Sequence, residues 1–160
     1  MNEAMTPVLA AARGLVKLGT VLDLRLRELA LPGVVAEDDR LYLRALLAVR
    51  DGQRDHVDRS GHESWVNAVH LDEIVGDDVD EWGAHCVAQG LLLAEQVHQS
   101  VPAAREPVVV DYVISVDLGE ERDTYPSSSF RFYRHRPDEP PMLAEIGAFV
   151  QPLLRIRRSR

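Results

Sequence analysis

Apolar positions recur at helical spacing in the first part of the chain and at strand spacing in the last part. Leu15, Leu18, Leu22, Leu26 and Leu29 are three or four residues apart, which puts them on one helix face. Thr6 offers a hydroxyl cap and Pro7 suits a first helical position. A helix is therefore predicted from there to about Leu31, bent at Gly19 and ended by Pro32-Gly33. A second helix is expected after a cap at Asp38 or Asp39, burying Leu43, Leu46, Leu47 and Val49 and stopping at Gly52. A strand competes over residues 41–49, because the apolar run there is short. Residues 51–61 are polar and read as a loop, and the alternation from Trp65 to Leu71 predicts a short strand. The clearest helix buries Trp82, Val87, Leu91, Ala94 and Val97. Asp78 and Glu81 stand before it at capping-box spacing, and Pro102 lies past its end.

Residues 108–118 alternate strictly. Val108, Val110, Tyr112, Ile114, Val116 and Leu118 face one side, and Val109, Asp111, Val113, Ser115 and Asp117 face the other. Residues 129–135 form a second strand with Phe130 and Phe132 inward and Arg131, Tyr133 and His135 outward, and the two strands pair as a hairpin. Leu143, Ile146, Phe149 and Val150 predict a short helix closed by Pro152. Leu153, Leu154 and Ile156 then predict an edge strand whose arginines, Arg155, Arg157, Arg158 and Arg160, discourage aggregation. Helices first and a hairpin later predict an α+β fold, with N-terminal helices packed on a small antiparallel sheet that contains a C-terminal hairpin. Neither a repeat nor a linker divides residues 1–160, so a single domain is expected.

Charge changes this picture most. Residues 1–59 hold nine acids and nine bases, and residues 105–160 again hold nine of each. Between Arg59 and Arg105 there are eight carboxylates and no Lys or Arg, so the net charge of −8 belongs to this stretch. A field of one sign steers cationic partners and repels nucleic acid. The expected partner is therefore a basic protein, met by Asp72, Glu73, Asp77, Asp78, Asp80 and Glu81, with Trp65 and Trp82 as apolar anchors. Helix-capping charge at the start of the residue 82 helix is the competing account of these acids.

Candidate chemistry adds little. Asp55, His56, Asp58, His62 and Glu63 could serve a small metal-dependent hydrolase, but the His56 to His62 spacing fits no zinc motif. Neither a metal nor a cofactor is expected, and no residue is assigned a catalytic role. Cys86 reads as a buried core residue and, as the one cysteine, suits a reducing compartment. The opening MNEAMTPVLAAARG lacks the basic lead and apolar length of a signal peptide, and no apolar run approaches 18 residues. A cytoplasmic protein without membrane contacts is expected. The aromatic and basic run 130–136 is the one place to look for nucleic-acid binding, and pairing of its arginines with Asp111 and Asp117 accounts for it more simply. The leucine face of residues 15–29 leaves a homodimeric assembly subunit as a further alternative.

The segment SSSFRFYRHRPDEPPML, followed by QPLL at 151–154, resembles the ending of small bacterial immunity proteins of polymorphic toxin systems. Phe130, Phe132, Arg136, Pro137, Glu139, Gln151 and Pro152 carry that resemblance, over about a sixth of the chain. It implies a non-catalytic protein that binds and blocks a cognate toxin.

Overall fold

A four-stranded antiparallel sheet, ordered β3-β5-β4-β6, holds the long helix α6 (Trp82–Ser100) on its inner face. Its strands are β3 (Val69–His70), β4 (Val109–Asp117), β5 (Ser127–Arg134) and β6 (Leu153–Ser159). The computed structural model describes residues 1–50, 58–76, 79–119, 125–140, 142–143 and 145–160, with Arg50 as backbone only. Helices α1 (Met5–Lys17) and α2 (Leu24–Ala30) pack on α6, giving the expected α+β arrangement. The alternation in β4 and β5 fixes which residues enter the core. Tyr112, Phe130 and Phe132 lie ring against ring at 6.0–6.3 Å beneath Val87, Leu93 and Val97 of α6. A Cβ on Gly90 would stand 2.8 Å from Ile114 Cδ1, so the missing side chain sets how closely α6 approaches β4. Cys86 is fully buried on α6, and burial pushes its thiol up to about 12, which makes it an inert core residue.

Several boundaries differ from the sequence pattern, each for a local reason. The leucine stripe is broken into α1 and α2 because Gly19, at φ 98°, turns the chain; Leu18 is left exposed while Leu26 is buried. Thr6 and Pro7 do not start α1. Asn2 Oδ1 accepts from Met5 N, and its amide also donates to the carbonyls of Phe149 and Gln151. Those bonds hold the chain ahead of Pro152 in place. Among the described residues a single 3₁₀ turn (Ile146–Ala148) forms there, with Phe149 and Val150 exposed.

Asp38 and Asp39 are not helix caps. They are the two left-handed residues (φ 48° and 64°) of a tight turn between β1 (Val34–Glu37) and β2 (Arg40–Leu43), and α3 (Arg44–Arg50) follows. Residues 59–66, expected as loop and strand, form α4 (Arg59–Val66), capped by Asp58 Oδ1 accepting from Gly61 N at 2.5 Å. The strand predicted from Trp65 shrinks to β3, and α5 (Asp72–Val75) was not foreseen. Gly52 and Asp78, expected as a stop and a cap, lie outside the described residues. Glu81 precedes α6 in the left-handed region without making a side-chain cap.

Candidate partner-binding site

The fold brings part of the acidic stretch, Asp72 and Glu81 among the described residues, to one end of the sheet, where β4 finishes and β5 begins. Asp72 Oδ1 accepts from Ser128 N at 2.9 Å, fixing α5 against the first turn of β5. Just ahead of that strand, Pro126 lines a cleft of about 410 Å³ together with Val8, Ala11, Trp82, Leu118 and the backbone of Gly83. Glu81 stands at its rim. Glu81, in the left-handed region, immediately precedes α6, and Gly83 lets the start of that helix pack closely on β4: a Cβ there would stand 3.1 Å from Leu118 Cδ2 and 3.3 Å from Val116 Cγ1. Trp82 is half-buried there, and Leu118 is exposed.

The eight carboxylates do not share one fate. Glu63 is fully buried against Arg136, and Glu95 is bound to Arg158, so neither contributes to an open acidic surface. Hydrogen bonds from Arg158 and Gln99 hold the Glu95 carboxyl below its ordinary value. Asp72 is committed to Ser128, whereas Glu73, Asp80 and Glu81 are exposed and make no ion pair among the described residues. Among the described residues Arg25 enters this region, and it donates to the carbonyls of Glu73 and Ile74 rather than to a carboxylate there. Asp77 and Asp78 lie outside the described residues. Of the two expected anchors, Trp82 lines the cleft. Trp65 lies half-buried on α4, in the part of the fold that Glu63 ties to Arg136.

A second arrangement, a buried polar network on α4, has no signature in the local pattern of residues. Glu63 Oε1 accepts from Leu41 N at 2.5 Å and from Arg134 N at 3.4 Å, while Oε2 accepts from Arg136 Nη1 at 2.5 Å. Asn67 accepts from Leu43 N at 2.9 Å and donates to the carbonyls of Leu41 and Phe132. One face of α4 thus bridges the edge of β2 to the edge of β5 with side chains where a strand would use its main chain. Arg136 also donates to Ser60 Oγ and to the carbonyls of Arg134 and Asp39. Burial pushes Glu63 up to about 6, against the pull of Arg136 and the two backbone donors. Burial also opposes the charge on Glu139, but hydrogen bonds from Ser60 and Arg59 overcome it and hold that carboxyl at about 2. Arg136 and Glu139, two residues of the immunity-protein resemblance, therefore serve as internal clamps.

The described hydrolase candidates are each engaged elsewhere in the fold. His62 bonds the Tyr42 hydroxyl at 2.8 Å, Glu63 is held by Arg136, Asp58 caps α4, and Asp55 and His56 lie outside the described residues. Among the described residues no three His, Cys, Asp or Glu side chains come together as metal ligands, and no helix is long and apolar enough to cross a membrane. The hairpin arginines also differ from expectation. Asp111 is gripped by Arg157 of β6 at 2.7 and 2.8 Å, and Asp117 accepts from Gln151, while Arg131 is exposed. The partner of Asp111 comes from the other neighbouring strand because β4 lies between β5 and β6, with Arg157 in register with Asp111.

No curated protein and no solved structure matches the chain. Over residues 1–158 it matches the uncharacterized protein PM0498 family, and the chain belongs to that family.

Proposed function

We propose that this protein is a non-catalytic binding module that neutralises or regulates a basic protein partner at the acidic end of its sheet. A toxin domain, as the C-terminal resemblance implies, is the partner class in view. One observation carries the reading: an apolar cleft lined by Trp82 opens beside Asp80 and Glu81, two exposed carboxylates without an ion-paired cation among the described residues. An apolar side chain of the partner, flanked by Lys or Arg, meets both features at once. The acids raise the rate of encounter, and the cleft slows dissociation. Residues 72–82 act through the surface they present, and a cytoplasmic setting is part of the proposal.

The test uses the product of the neighbouring gene as the candidate partner, with association followed by surface plasmon resonance across a salt series. The combined variant Glu73→Gln, Asp80→Asn and Glu81→Gln should associate about tenfold more slowly at low salt, with an unchanged melting temperature. Ala11→Phe, which fills the cleft without touching charge, should accelerate dissociation instead. A melting temperature that collapses in the charge variant would make those acids structural and overturn the reading. So would association that ignores salt.

A further inference from the structure

The two outer edges of the sheet are treated in opposite ways. On β5 the residues whose backbone groups point away from β4 are Ser128, Phe130, Phe132 and Arg134, and each has a partner. Ser128 is bonded by Leu71 N and Asp72, and Phe130 pairs with Val69 of β3. The Phe132 carbonyl accepts from Asn67, the Arg134 carbonyl accepts from Arg136 at 3.2 Å, and the Arg134 N–H lies 3.4 Å from Glu63 of α4. That edge is covered by β3, α4 and Arg136.

On β6 the mutual bonds between Val108 and Arg160 set the phase of the ladder. Residues 154, 156, 158 and 160 bond inward to β4, so 153, 155, 157 and 159 direct their N–H and carbonyl groups outward. Leu153 is covered, because its N–H and its carbonyl are both bonded by Asn2. For Arg155, Arg157 and Ser159 no partner of the outward backbone groups is present among the described residues. These three positions form an open edge of continuous β geometry.

The charges along the edge select what can occupy it. Arg155, Arg157, Arg158 and Arg160 stand on or beside it. Arg157 is balanced by Asp111 and Arg158 by Glu95, whereas Arg155 and Arg160 have no carboxylate partner among the described residues. A second copy adding its own β6 would set arginine against arginine, which is destabilising in cross-strand positions. An acidic strand would set carboxylates beside Arg155 and Arg157 on the outer face and leave its alternate residues beside Ile156 on the inner face. Arginines that repel a copy of the same edge admit an anionic one.

We propose that β6 is a docking edge for an acidic extended segment of a partner protein, which adds as a fifth strand along Arg155, Arg157 and Ser159. The probe is an acetylated, amidated seven-residue peptide alternating Glu and Val, with a Lys and Val peptide as control, titrated into the isotopically labelled full chain. The Glu peptide should shift the amide resonances of Arg155, Arg157 and Ser159 and slow their hydrogen exchange, and the Lys peptide should leave them unmoved. Ser159→Pro and Arg155→Pro each delete one outward N–H and leave the ladder to β4 intact, because proline is tolerated where the N–H faces solvent. Each should weaken peptide binding about fivefold. The melting temperature of Ser159→Pro, an exposed site, should stay at the wild-type value. The proposal is overturned by any of three results: no shift with the Glu peptide at millimolar concentration, equal binding of both peptides, or binding indifferent to both prolines. Sedimentation showing a dimer that Ser159→Pro dissolves would also overturn it, by assigning the edge to a second copy.

Discussion

Replacing Arg136 by Met removes the cation that Glu63 faces while keeping most of the buried volume. Glu63 is fully buried, and in the variant its remaining donors are Leu41 N at 2.5 Å and Arg134 N at 3.4 Å. The second is too long to count as a full bond. One good hydrogen bond is then left to hold an ionised carboxylate out of water. Removing one member of a buried ion pair costs about 3–5 kcal/mol. In a domain of this size each kcal/mol lowers the melting temperature by about 2–4 °C, so a loss of roughly 10 °C is expected at pH 7.5.

The pH dependence separates this cause from simple repacking. Burial already lifts Glu63 to about 6, and Arg136 is the strongest force pulling it down. Without Arg136 the carboxyl rises further, and at pH 5 it is protonated. A raised acid stabilises the fold below its unfolded value and loses that contribution as pH rises through its folded value. The variant should therefore be penalised less at pH 5 than at pH 7.5, with a residual loss of about 1–3 kcal/mol for the bonds Arg136 made to Ser60 and to the Asp39 and Arg134 carbonyls. Adding Glu63→Gln keeps an acceptor for Leu41 N and removes the stranded charge, so the double variant should recover much of the loss at pH 7.5. Urea unfolding of the wild type, both single variants and the double variant at the two pH values measures all of this. A penalty for Arg136→Met that is equal at pH 5 and pH 7.5, or smaller than 1 kcal/mol, refutes the reasoning.

Gly90→Ala gains about 1 kcal/mol in helix propensity but drives its Cβ to 2.8 Å from Ile114 Cδ1 in a fully buried contact. Overpacking of about 1–3 kcal/mol should win, and Ile114→Val, which lacks Cδ1, should recover part of the loss in a thermal melt of the double variant. Glu139 is held at about 2, so its contribution is present above its ordinary value near 4.5 and is lost as pH falls toward 2. The acid limb of the unfolding curve should therefore be shallower in Glu139→Gln than in the wild type, by circular dichroism between pH 4.5 and pH 2.

Where the sequence was legible, one physical signal dominated. In β4 and β5 the period-two alternation assigned each residue to its face, because a slip of one residue would turn Tyr112, Phe130 and Phe132 to the wrong side. The α6 stripe was legible for the same reason at period 3.6. The α4 region was not, because its buried residues are polar. Ser60, Glu63, Ser64 and Asn67 look like solvent-facing positions, and their burial follows from partners 20 to 80 residues away in sequence. The β1–β2 turn was hidden because Asp38-Asp39 replaces the usual glycine. Asp39 tolerates the left-handed backbone there while Arg59, Arg134 and Arg136 hold its carboxylate and Arg136 binds its carbonyl. Of the candidate site, the charge bias was readable but its division was not. Nothing local tells Glu63 and Glu95, which meet arginines from the last third of the chain, from Glu73 and Glu81, which do not.

That division gives the sheet a polarity along its strands. Arginines from β6 and the segment after β5 collect at the end where β4 starts, and they absorb Glu63, Glu95 and Asp111 there. At the opposite end Glu73, Asp80 and Glu81 remain exposed beside the Trp82 cleft. The nine residues of β4 span about 30 Å, at roughly 3.4 Å per residue. The Debye length at physiological ionic strength is about 8 Å, so the two ends are electrically independent. Arg155, the docking position nearest the cleft, stands opposite Val113, about 14 Å from the end of β4 at roughly 3.4 Å per residue, so a cationic partner at the cleft and an anionic strand at β6 would each feel mainly its own charges. Charge variants at one site should leave the salt dependence at the other unchanged. If they do not, the two surfaces are coupled through the fold, by way of the α6 helix that packs along the sheet between them.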